Sequence, residues 1–226
     1  MLNRFARALF TRLLTPAARG LLALGISPDV VTLVGTLGVA AGALIFYPRG
    51  EFFWGTVVIA LFVFSDTIDG IMARLQGRSS PWGAFLDSTL DRVGDAAVFG
   101  GLVLYYATHP GERWATAMTS LALACLVLGQ IVSYARARAE GLGMTASVGI
   151  AERADRLVAV LVTTGLVGVG LPEVVLLVVL ALLAVASLVT VVQRMLVVRE
   201  QAFAAVAARR PAGAGGLDPE EDPTRA

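Results

Sequence analysis

Several long stretches of the chain carry no charged residue, and these stretches constrain the fold more than any other feature. Residues 30–48, 114–135 and 174–193 are all uncharged. Each is close to the length of about 20 residues that crosses the hydrocarbon core of a membrane as a helix. The 226 residues are 57% hydrophobic and only 15% charged, which excludes an ordinary soluble domain. The sequence therefore predicts an all-α integral membrane protein.

Three further segments are apolar along most of their length. Residues 52–72, 83–110 and 150–172 are long enough to cross the membrane only if turns that contain charged residues are included. Charged groups inside a membrane helix are costly and generally mark function. With these segments the sequence predicts six transmembrane helices, which form one domain over residues 21–200.

The two ends of the chain differ from this domain. Residues 1–20 place apolar side chains such as Leu9 and Leu13 at helical spacing, with arginines between them. This pattern predicts an amphipathic helix in the membrane interface, and the arginines that break the apolar run make a signal peptide the weaker interpretation. Residues 207–226 are rich in Pro, Gly and charge, which predicts a disordered cytoplasmic tail.

The positions of the arginines predict the orientation. The chain has no lysine, and six spans would put all but two of its 18 arginines on one side, with Arg49 and Arg113 on the other. Positive charge accumulates on the cytoplasmic side of membrane proteins. We therefore expect a multi-pass protein of the bacterial cell membrane with both termini in the cytoplasm. The lysine-free, arginine-rich composition is typical of a GC-rich bacterium.

Only one cysteine, Cys125, and one histidine, His109, occur in the chain. They exclude an internal disulfide and a metal site with several histidines. Cys125 is expected to be a small core residue. No nucleic-acid partner is predicted.

Four carboxylates lie within the predicted helices, in two pairs. Asp66 and Asp69 are separated by three positions, and Asp87 and Asp91 by four, so each pair shares one helical face. Two antiparallel helices joined by a short loop would bring the pairs to similar depth, facing each other. The active site would then lie on the cytoplasmic side of the membrane.

Unpaired carboxylates in such a site would repel one another and take up protons. Oxygen ligands suit hard cations such as Mg²⁺ or Mn²⁺, and two ions about 3.5–4 Å apart can clamp a phosphoryl group. Two other interpretations stay open on spacing alone. The aspartates could form a structural network with Arg74, Arg78 and Arg92, or line the pathway of an ion-coupled transporter.

The stretch from Asp66 to Asp91 carries a longer motif. It reads D-T-I-D-G-I-M-A-R, then eight residues, G, three residues, D, three residues and D. It resembles the signature D-x2-D-G-x2-A-R-x8-9-G-x3-D-x3-D of the CDP-alcohol phosphotransferase family at all eight fixed positions. The resemblance implies a six-helix enzyme that transfers a lipid phosphate from a CDP-linked lipid to an alcohol and releases CMP.

Further roles follow from this resemblance. It implies two Mg²⁺ or Mn²⁺ ions, bound by Asp66, Asp69, Asp87 and Asp91, with Asp91 also the base that accepts the proton of the attacking hydroxyl. It also implies a homodimer, since the family is commonly dimeric. Within the motif, Gly70 and Ala73 lack bulk, which would let a nucleotide lie against the helix or let another helix pack closely. The arginine that follows them can pair bidentately with a pyrophosphate. The residues matched to CDP-lipid contacts are Asp29, Val30, Val31, Thr32, Asp66, Asp69, Gly70, Ala73, Arg74 and Ser80.

The acceptor is less directly indicated. Arg136, Arg153 and Arg194 fall at the cytoplasmic ends of three helices, where a cluster suits a phosphate dianion, although the positive-inside bias also places arginines there. Residues 28–32 and 133–140 resemble the actinobacterial phosphatidylinositol phosphate synthases of this family. That resemblance implies CDP-diacylglycerol as the donor and inositol 1-phosphate (1D-myo-inositol 3-phosphate) as the acceptor, its phosphate held by the three arginines. Glycerol 3-phosphate, which would make the enzyme a phosphatidylglycerol phosphate synthase, is the alternative.

Two further features lie outside the motif. Asp95 continues the stripe of Asp87 and Asp91 by one turn, and we expect it to pack in the helix bundle or pair with an arginine. A role in orienting a neighbouring side chain by hydrogen bonding is the alternative. Gly38 and Gly42 form a pair of small residues that can bring helices close together, within or between subunits.

Overall fold

The computed structural model describes residues 2–63, 65–77, 80–150 and 152–208; within these, the side chains of residues 2–12, Asp66 and residues 206–208 are not described. The described residues form helices and no strands. The eight α-helices are α1 (Leu2–Ala23), α2 (Pro28–Ala41), α3 (Phe52–Val63), α4 (Ser65–Leu75), α5 (Pro81–Thr108), α6 (Ala115–Glu140), α7 (Arg153–Val167) and α8 (Glu173–Ala208). A π-helical turn (Gly42–Phe46) and a 3₁₀ turn (Tyr47–Arg49) continue α2.

Four helical stretches among the described residues are long and apolar enough to cross a membrane. They are Pro28–Arg49, Phe52–Leu75, Ala115–Glu140 and Glu173–Ala205. α7 has only 15 residues, and the first half of α5 carries charged residues. The predicted all-helical membrane architecture is confirmed, whereas the two further spans stay predictions.

Two helices that are central to the site begin in the same way. Ser27 caps α2 by accepting a hydrogen bond from the Val30 amide at 3.3 Å, and Ser80 caps α5 by accepting one from the Gly83 amide at 3.0 Å. A proline follows each serine as the first helical residue. Proline suits that position because its fixed φ is already helical and its missing N–H would have no partner there. Local sequence thus fixes where both helices start.

The two ends of the chain are only partly described. α1 includes most of residues 1–20 and continues to Ala23, and its Ala18 packs with Ile71 and Met72 of α4 in a small hydrophobic cluster. Its predicted place in the membrane interface stays a prediction. α8 continues well past Gln193 to Ala208. The predicted disordered tail begins within this helix, and its residues 209–226 lie outside the described residues.

The main hydrophobic core lies at the end of α5 away from the aspartates. Tyr47 and Phe52 are buried there, with ring centroids 5.8 Å apart in an edge-to-face arrangement, and Phe52 lies 4.7 Å from Tyr105 in the same way. Such pairs add about 0.5–1.5 kcal/mol beyond the burial of their surface. Cys125 is also buried in this core, as predicted.

The small pair Gly38 and Gly42 packs within the chain. A Cβ on Gly38 would overlap the ring of Phe62, and a Cβ on Gly42 would lie 2.9 Å from a side-chain carbon of Ile59. Both neighbours belong to α3. The pair therefore lets α2 and its continuation approach α3 closely, which resolves the two possibilities left by the sequence.

Helix α2 occupies a central position. It packs against both α4 and α5, whereas α4 and α5 make few contacts with each other among the described residues. The two helices that carry the paired aspartates are thus related mainly through α2.

Candidate active site

The aspartates of α5 form a stripe whose burial increases along the helix. Asp87 is exposed, the side chain of Asp91 is 20% exposed, and that of Asp95 is only 6% exposed. The spacing of four residues puts all three on one face of the helix. The stripe therefore leads from an open surface into the interior of the bundle.

Helix α7 supplies the positive charges that meet this stripe. Arg153 places Nη1 2.7 Å from Asp91 Oδ1, and its Nε donates to Asp95 Oδ1 at 3.0 Å. Arg156, one turn further along, places Nη2 3.6 Å from Asp95 Oδ2. These contacts confirm the prediction that Asp95 pairs with arginine. They also bring one acceptor arginine predicted from the sequence next to the predicted base.

A third arginine lies beside Asp91. Arg92 Nη2 is 3.7 Å from Asp91 Oδ2, and the carbonyl of Arg92 accepts a hydrogen bond from Gln130 of α6 at 3.3 Å. Of the other arginines named for a structural network, Arg74 is exposed and Arg78 lies outside the described residues. The main charge partners of the α5 stripe thus come from α7, which no short-range pattern indicates.

On α4, Asp69 is buried and is held by α2. Thr32 Oγ1 donates a hydrogen bond to Asp69 Oδ2 at 2.5 Å. The family resemblance predicts that Thr32 contacts the CDP-lipid, and the structure shows it bonded to a predicted metal ligand. The side chain of Asp66 lies outside the described residues, so the predicted facing of the two aspartate pairs stays a prediction.

The starts of α2 and α5 meet through a contact that sequence reasoning missed. Trp82 Nε1 donates to Asp29 Oδ2 at 3.1 Å. Two of the other residues matched to the CDP-lipid lie on the same two helix starts: Val30 is exposed on α2, and Ser80 caps α5. The only available signal for Trp82 was an aromatic residue directly after the Ser-Pro start of α5.

The motif glycine Gly70 has open space beside it. A Cβ at this position would meet nothing closer than Arg74 Nη1, at 3.7 Å, and no other helix comes within 4 Å among the described residues. Ala73 is half-buried, and the Arg74 side chain is exposed. Among the described residues, close helix packing therefore does not explain the glycine. That its open space holds a nucleotide stays a prediction.

The other two predicted acceptor arginines have different surroundings. Arg194 is buried and donates to two backbone carbonyls, those of Val132 at 2.5 Å and Val148 at 2.9 Å. Arg136 is exposed and pairs with Glu140 one turn away at 2.9 Å. Of the three predicted acceptor arginines, only Arg153 directly contacts an aspartate whose side chain the structure describes.

The donor set suits hard divalent cations. Asp69, Asp87 and Asp91 offer carboxylate oxygens, the ligands that Mg²⁺ and Mn²⁺ prefer. The described side chains contain no group of three or more His, Cys, Asp or Glu residues close enough to hold one ion. The predicted ligand Asp66 lies outside these side chains, so the metal site stays a prediction.

The chain matches the family model of CDP-alcohol phosphatidyltransferase over residues 25–153, which include the whole aspartate motif. The phosphatidylinositol phosphate synthase of Streptomyces avermitilis is 55% identical over 214 residues, which cover 92% of this chain and 86% of that protein. The phosphatidylinositol phosphate synthase of Cutibacterium acnes is 49% identical over 206 residues, which cover 88% of this chain and 98% of that protein.

Solved structures agree with these matches. The crystal structure of Mycobacterium tuberculosis phosphatidylinositol phosphate synthase with CDP-DAG bound has a TM-score of 0.78 and 44% identity, and the match covers 83% of this chain and 94% of that chain. A structure of the same enzyme in complex with manganese and citrate has a TM-score of 0.77 and 44% identity, with coverage of 82% and 88%. These relatives are enzymes, which favours an enzyme over an ion-coupled transporter. From its motif, its fold and these matches, the chain belongs to the CDP-alcohol phosphatidyltransferase family.

Proposed function

We propose that this protein transfers the phosphatidyl group of CDP-diacylglycerol to a hydroxyl of inositol 1-phosphate (1D-myo-inositol 3-phosphate), giving phosphatidylinositol phosphate and CMP. The observation that carries the proposal is the contact of Arg153 with Asp91 at 2.7 Å. The contact supports the proposal because arginine is a side chain that binds phosphates well, and here it lies directly beside the predicted base. An acceptor with both a phosphate and a hydroxyl can use the two groups together.

The donor is proposed to lie over α4 and the starts of α2 and α5. The open space beside Gly70 supports this position, since the backbone there is accessible to a nucleotide. Arg74 is exposed and can turn toward a pyrophosphate, which arginine binds bidentately. The remaining contacts proposed for the CDP-lipid are Asp29, Val30, Val31, Thr32, Asp66, Asp69, Ala73 and Ser80.

Two Mg²⁺ or Mn²⁺ ions are proposed to be bound by Asp66, Asp69, Asp87 and Asp91. When bound, such ions neutralise the phosphate charge that builds up as the phosphoryl group is transferred. The manganese complex of the Mycobacterium tuberculosis enzyme supports a divalent metal. In this chain the hydrogen bond from Thr32 fixes the orientation of Asp69, which prepares one ligand in advance.

In the proposed reaction, Asp91 accepts the proton of the acceptor hydroxyl. The hydroxyl oxygen then forms a bond to the phosphorus that carries diacylglycerol, and the bond from this phosphorus to the bridging oxygen of CMP breaks. The electron pair of the broken bond leaves with CMP. Asp91 suits the role of base because its side chain is partly exposed and can be reached by a substrate.

Arg136, Arg153 and Arg194 are proposed to hold the phosphate of the acceptor. Arg153 supports this proposal through its place beside Asp91. Arg194 is buried and fixed by two backbone carbonyls. Its side chain is therefore already ordered, and binding of a phosphate costs little further conformational entropy there. Each charge-assisted contact is worth about 1.5–3 kcal/mol.

The proposed enzyme is a homodimer of the bacterial cell membrane. Residues 1–20 lie in the membrane interface, residues 21–200 form the six-span catalytic domain, and residues 207–226 are a disordered tail. Both termini and the active site face the cytoplasm. The arginine distribution supports this orientation, since all but two arginines then lie on the cytoplasmic side.

Release of CMP by the purified protein tests the proposal. The protein in detergent is incubated with CDP-diacylglycerol, Mg²⁺ and one of three acceptors: inositol 1-phosphate, free inositol or glycerol 3-phosphate. We expect rapid release with inositol 1-phosphate and little with free inositol. Equal use of free inositol would overturn the phosphate-binding role of the arginines, and faster release with glycerol 3-phosphate would identify a phosphatidylglycerol phosphate synthase.

A further inference from the structure

Asp95 is a buried carboxylate that the family motif does not include. It lies one turn beyond Asp91 on α5, and its side chain is 6% exposed. A charged group buried in a membrane helix costs several kcal/mol unless partners compensate it. The proposed reaction gives Asp95 no role of its own. The reason for its burial must therefore lie in its contacts.

These contacts are with two arginines. Asp95 Oδ1 accepts a hydrogen bond from Arg153 Nε at 3.0 Å, and Oδ2 lies 3.6 Å from Arg156 Nη2. The carboxylate thus stands between two guanidinium groups. Arg153 also pairs with Asp91, so these two arginines and two aspartates form one ion-pair network in which the charges balance.

The bond to Nε matters for the direction of Arg153. Nε lies at the base of the guanidinium plane, so a bond at Nε fixes the plane and leaves both Nη groups available to other partners. Nη1 accordingly reaches Asp91 at 2.7 Å. Arg153 is 27% exposed, and without Asp95 its long side chain would have many rotamers to choose from.

We infer that Asp95 is a positioning residue: it directs Arg153 toward the phosphate of the acceptor, next to the base Asp91. The inference rests on the proposed function. It assigns Arg156 a separate, structural part. Arg156 is 1% exposed and its guanidinium packs against Gly129 of α6, where a Cβ would lie 3.2 Å from Nη2.

A pair of variants with matched charge tests the inference. Asp95→Ala alone would leave the buried guanidinium group of Arg156 without its carboxylate, which would destabilise the fold. Combining it with Arg156→Met removes one positive and one negative charge together, so the local charge is unchanged. Arg156→Met alone is the control, because it leaves Asp95 in place to hold Arg153.

We expect the Asp95→Ala/Arg156→Met protein to have a KM for inositol 1-phosphate about 10- to 100-fold above wild type, the loss that corresponds to one charge-assisted contact. Its KM for CDP-diacylglycerol should stay within about twofold, and so should both KM values of Arg156→Met. Asp95→Asn/Arg156→Met should recover part of the loss, because the amide oxygen can still accept from Arg153 Nε.

A second comparison separates positioning from a general structural effect. In an Arg153→Ala background, adding Asp95→Ala/Arg156→Met should raise the KM for inositol 1-phosphate no further, because residues that act through one another are not additive. A wild-type acceptor KM in Asp95→Ala/Arg156→Met, or an equal loss for both substrates, would overturn the inference. Absence of CMP release by wild type with inositol 1-phosphate would instead contradict the proposed function.

Discussion

Helix α5 joins two ends of the molecule that are built in opposite ways. At the polar end, defined by Asp69, Asp91 and Arg153, ion pairs connect α5 to α7, whose backbones make few contacts, and a hydrogen bond joins Asp69 to α2. At the aromatic end, defined by Tyr47 and Phe52, rings are buried and packed edge to face. One end is therefore held by buried aromatic packing, and the other by contacts between polar and charged side chains.

Glycines show the difference most clearly. At the aromatic end, a Cβ on Gly101 would lie 2.6 Å from the carbonyl oxygen of Ala43, so the backbones of two helices leave no space for it. At the polar end, Gly70 has its nearest neighbour, Arg74 Nη1, at 3.7 Å. The same residue type serves protein packing at one end and leaves space open at the other.

The largest effect is expected at the polar end, from Asp91→Asn. Loss of the base should lower CMP release by about 1,000-fold or more, with an unchanged unfolding temperature. Asp155→Asn, an exposed acid on α7, is the control and should keep full activity. Near-normal turnover of Asp91→Asn, or full wild-type activity in excess EDTA, would show that the aspartate motif is not the catalytic centre.

A smaller loss is expected from Arg153→Ala, which removes the charge between Asp91 and Asp95. The KM for inositol 1-phosphate should rise about 10- to 100-fold, while the KM for CDP-diacylglycerol changes little. Steady-state kinetics with each substrate varied in turn measures the difference. Arg138→Ala, at the exposed end of α6, is the control and should change neither KM value. An equal effect of the two substitutions would show that Arg153 has no particular role in binding the acceptor.

At the aromatic end, Gly101→Ala should act on stability instead of catalysis. Overpacking of this kind costs about 1–3 kcal/mol, so the unfolding temperature in detergent should fall while CMP release per folded molecule stays the same. Gly100→Ala is the matched control, since a Cβ there meets nothing within 4 Å among the described residues. Equal unfolding temperatures for the two variants would contradict the close approach of α5 to Ala43.

Gly70→Ala should give the reverse result at the polar end. The added methyl group has room in the protein, so the unfolding temperature should not fall. It would occupy space proposed for the nucleotide, and the KM for CDP-diacylglycerol should rise several-fold, or about 1 kcal/mol. Kinetics with varied donor and a thermal unfolding curve together check this prediction. A lower unfolding temperature with a normal KM for CDP-diacylglycerol would show that Gly70 serves helix packing and not donor binding.

The smallest effect is expected from Glu140→Ala, which breaks the pair with Arg136. Both side chains are 55% exposed, and exposed pairs contribute about 0–1 kcal/mol. The free energy of unfolding should change by less than about 0.5 kcal/mol. A denaturant titration in detergent measures it, and a clearly larger loss would show that the pair is part of the folded core.

Much of the fold could be predicted from local sequence. The uncharged stretches predicted the helices, and the Ser-Pro pairs correspond to the starts of α2 and α5. The end of α8 was missed because the apolar run stops near Gln193, whereas the helix continues with residues such as Arg199 and Gln201. Helical residues beyond a membrane span need no apolar character, so hydropathy alone does not show where such a helix ends.

The candidate site was predictable only in part. The spacing of the α5 aspartates predicted that they share one helical face, and the motif predicted their roles as metal ligands and base. The bonds from Thr32 to Asp69 and from Trp82 to Asp29 join residues far apart in the chain. A short-range periodic pattern cannot predict contacts between such distant residues. They depend on how α2 packs against α4 and α5.

The contacts of the loop between α6 and α7 affect how this part of the protein unfolds locally. Its Thr145 amide and carbonyl both bond to the side chain of Gln201, at 2.9 and 2.7 Å, and its Ile150 amide donates to Thr190 at 3.2 Å. Arg194 also donates to the carbonyl of Val148 within this loop. Because its backbone is bonded to side chains of α8, the loop and that helix form one cooperative unit. The amides of Thr145 and Ile150 should therefore exchange with solvent as slowly as those of a helix, although residues 144–150 have no regular secondary structure.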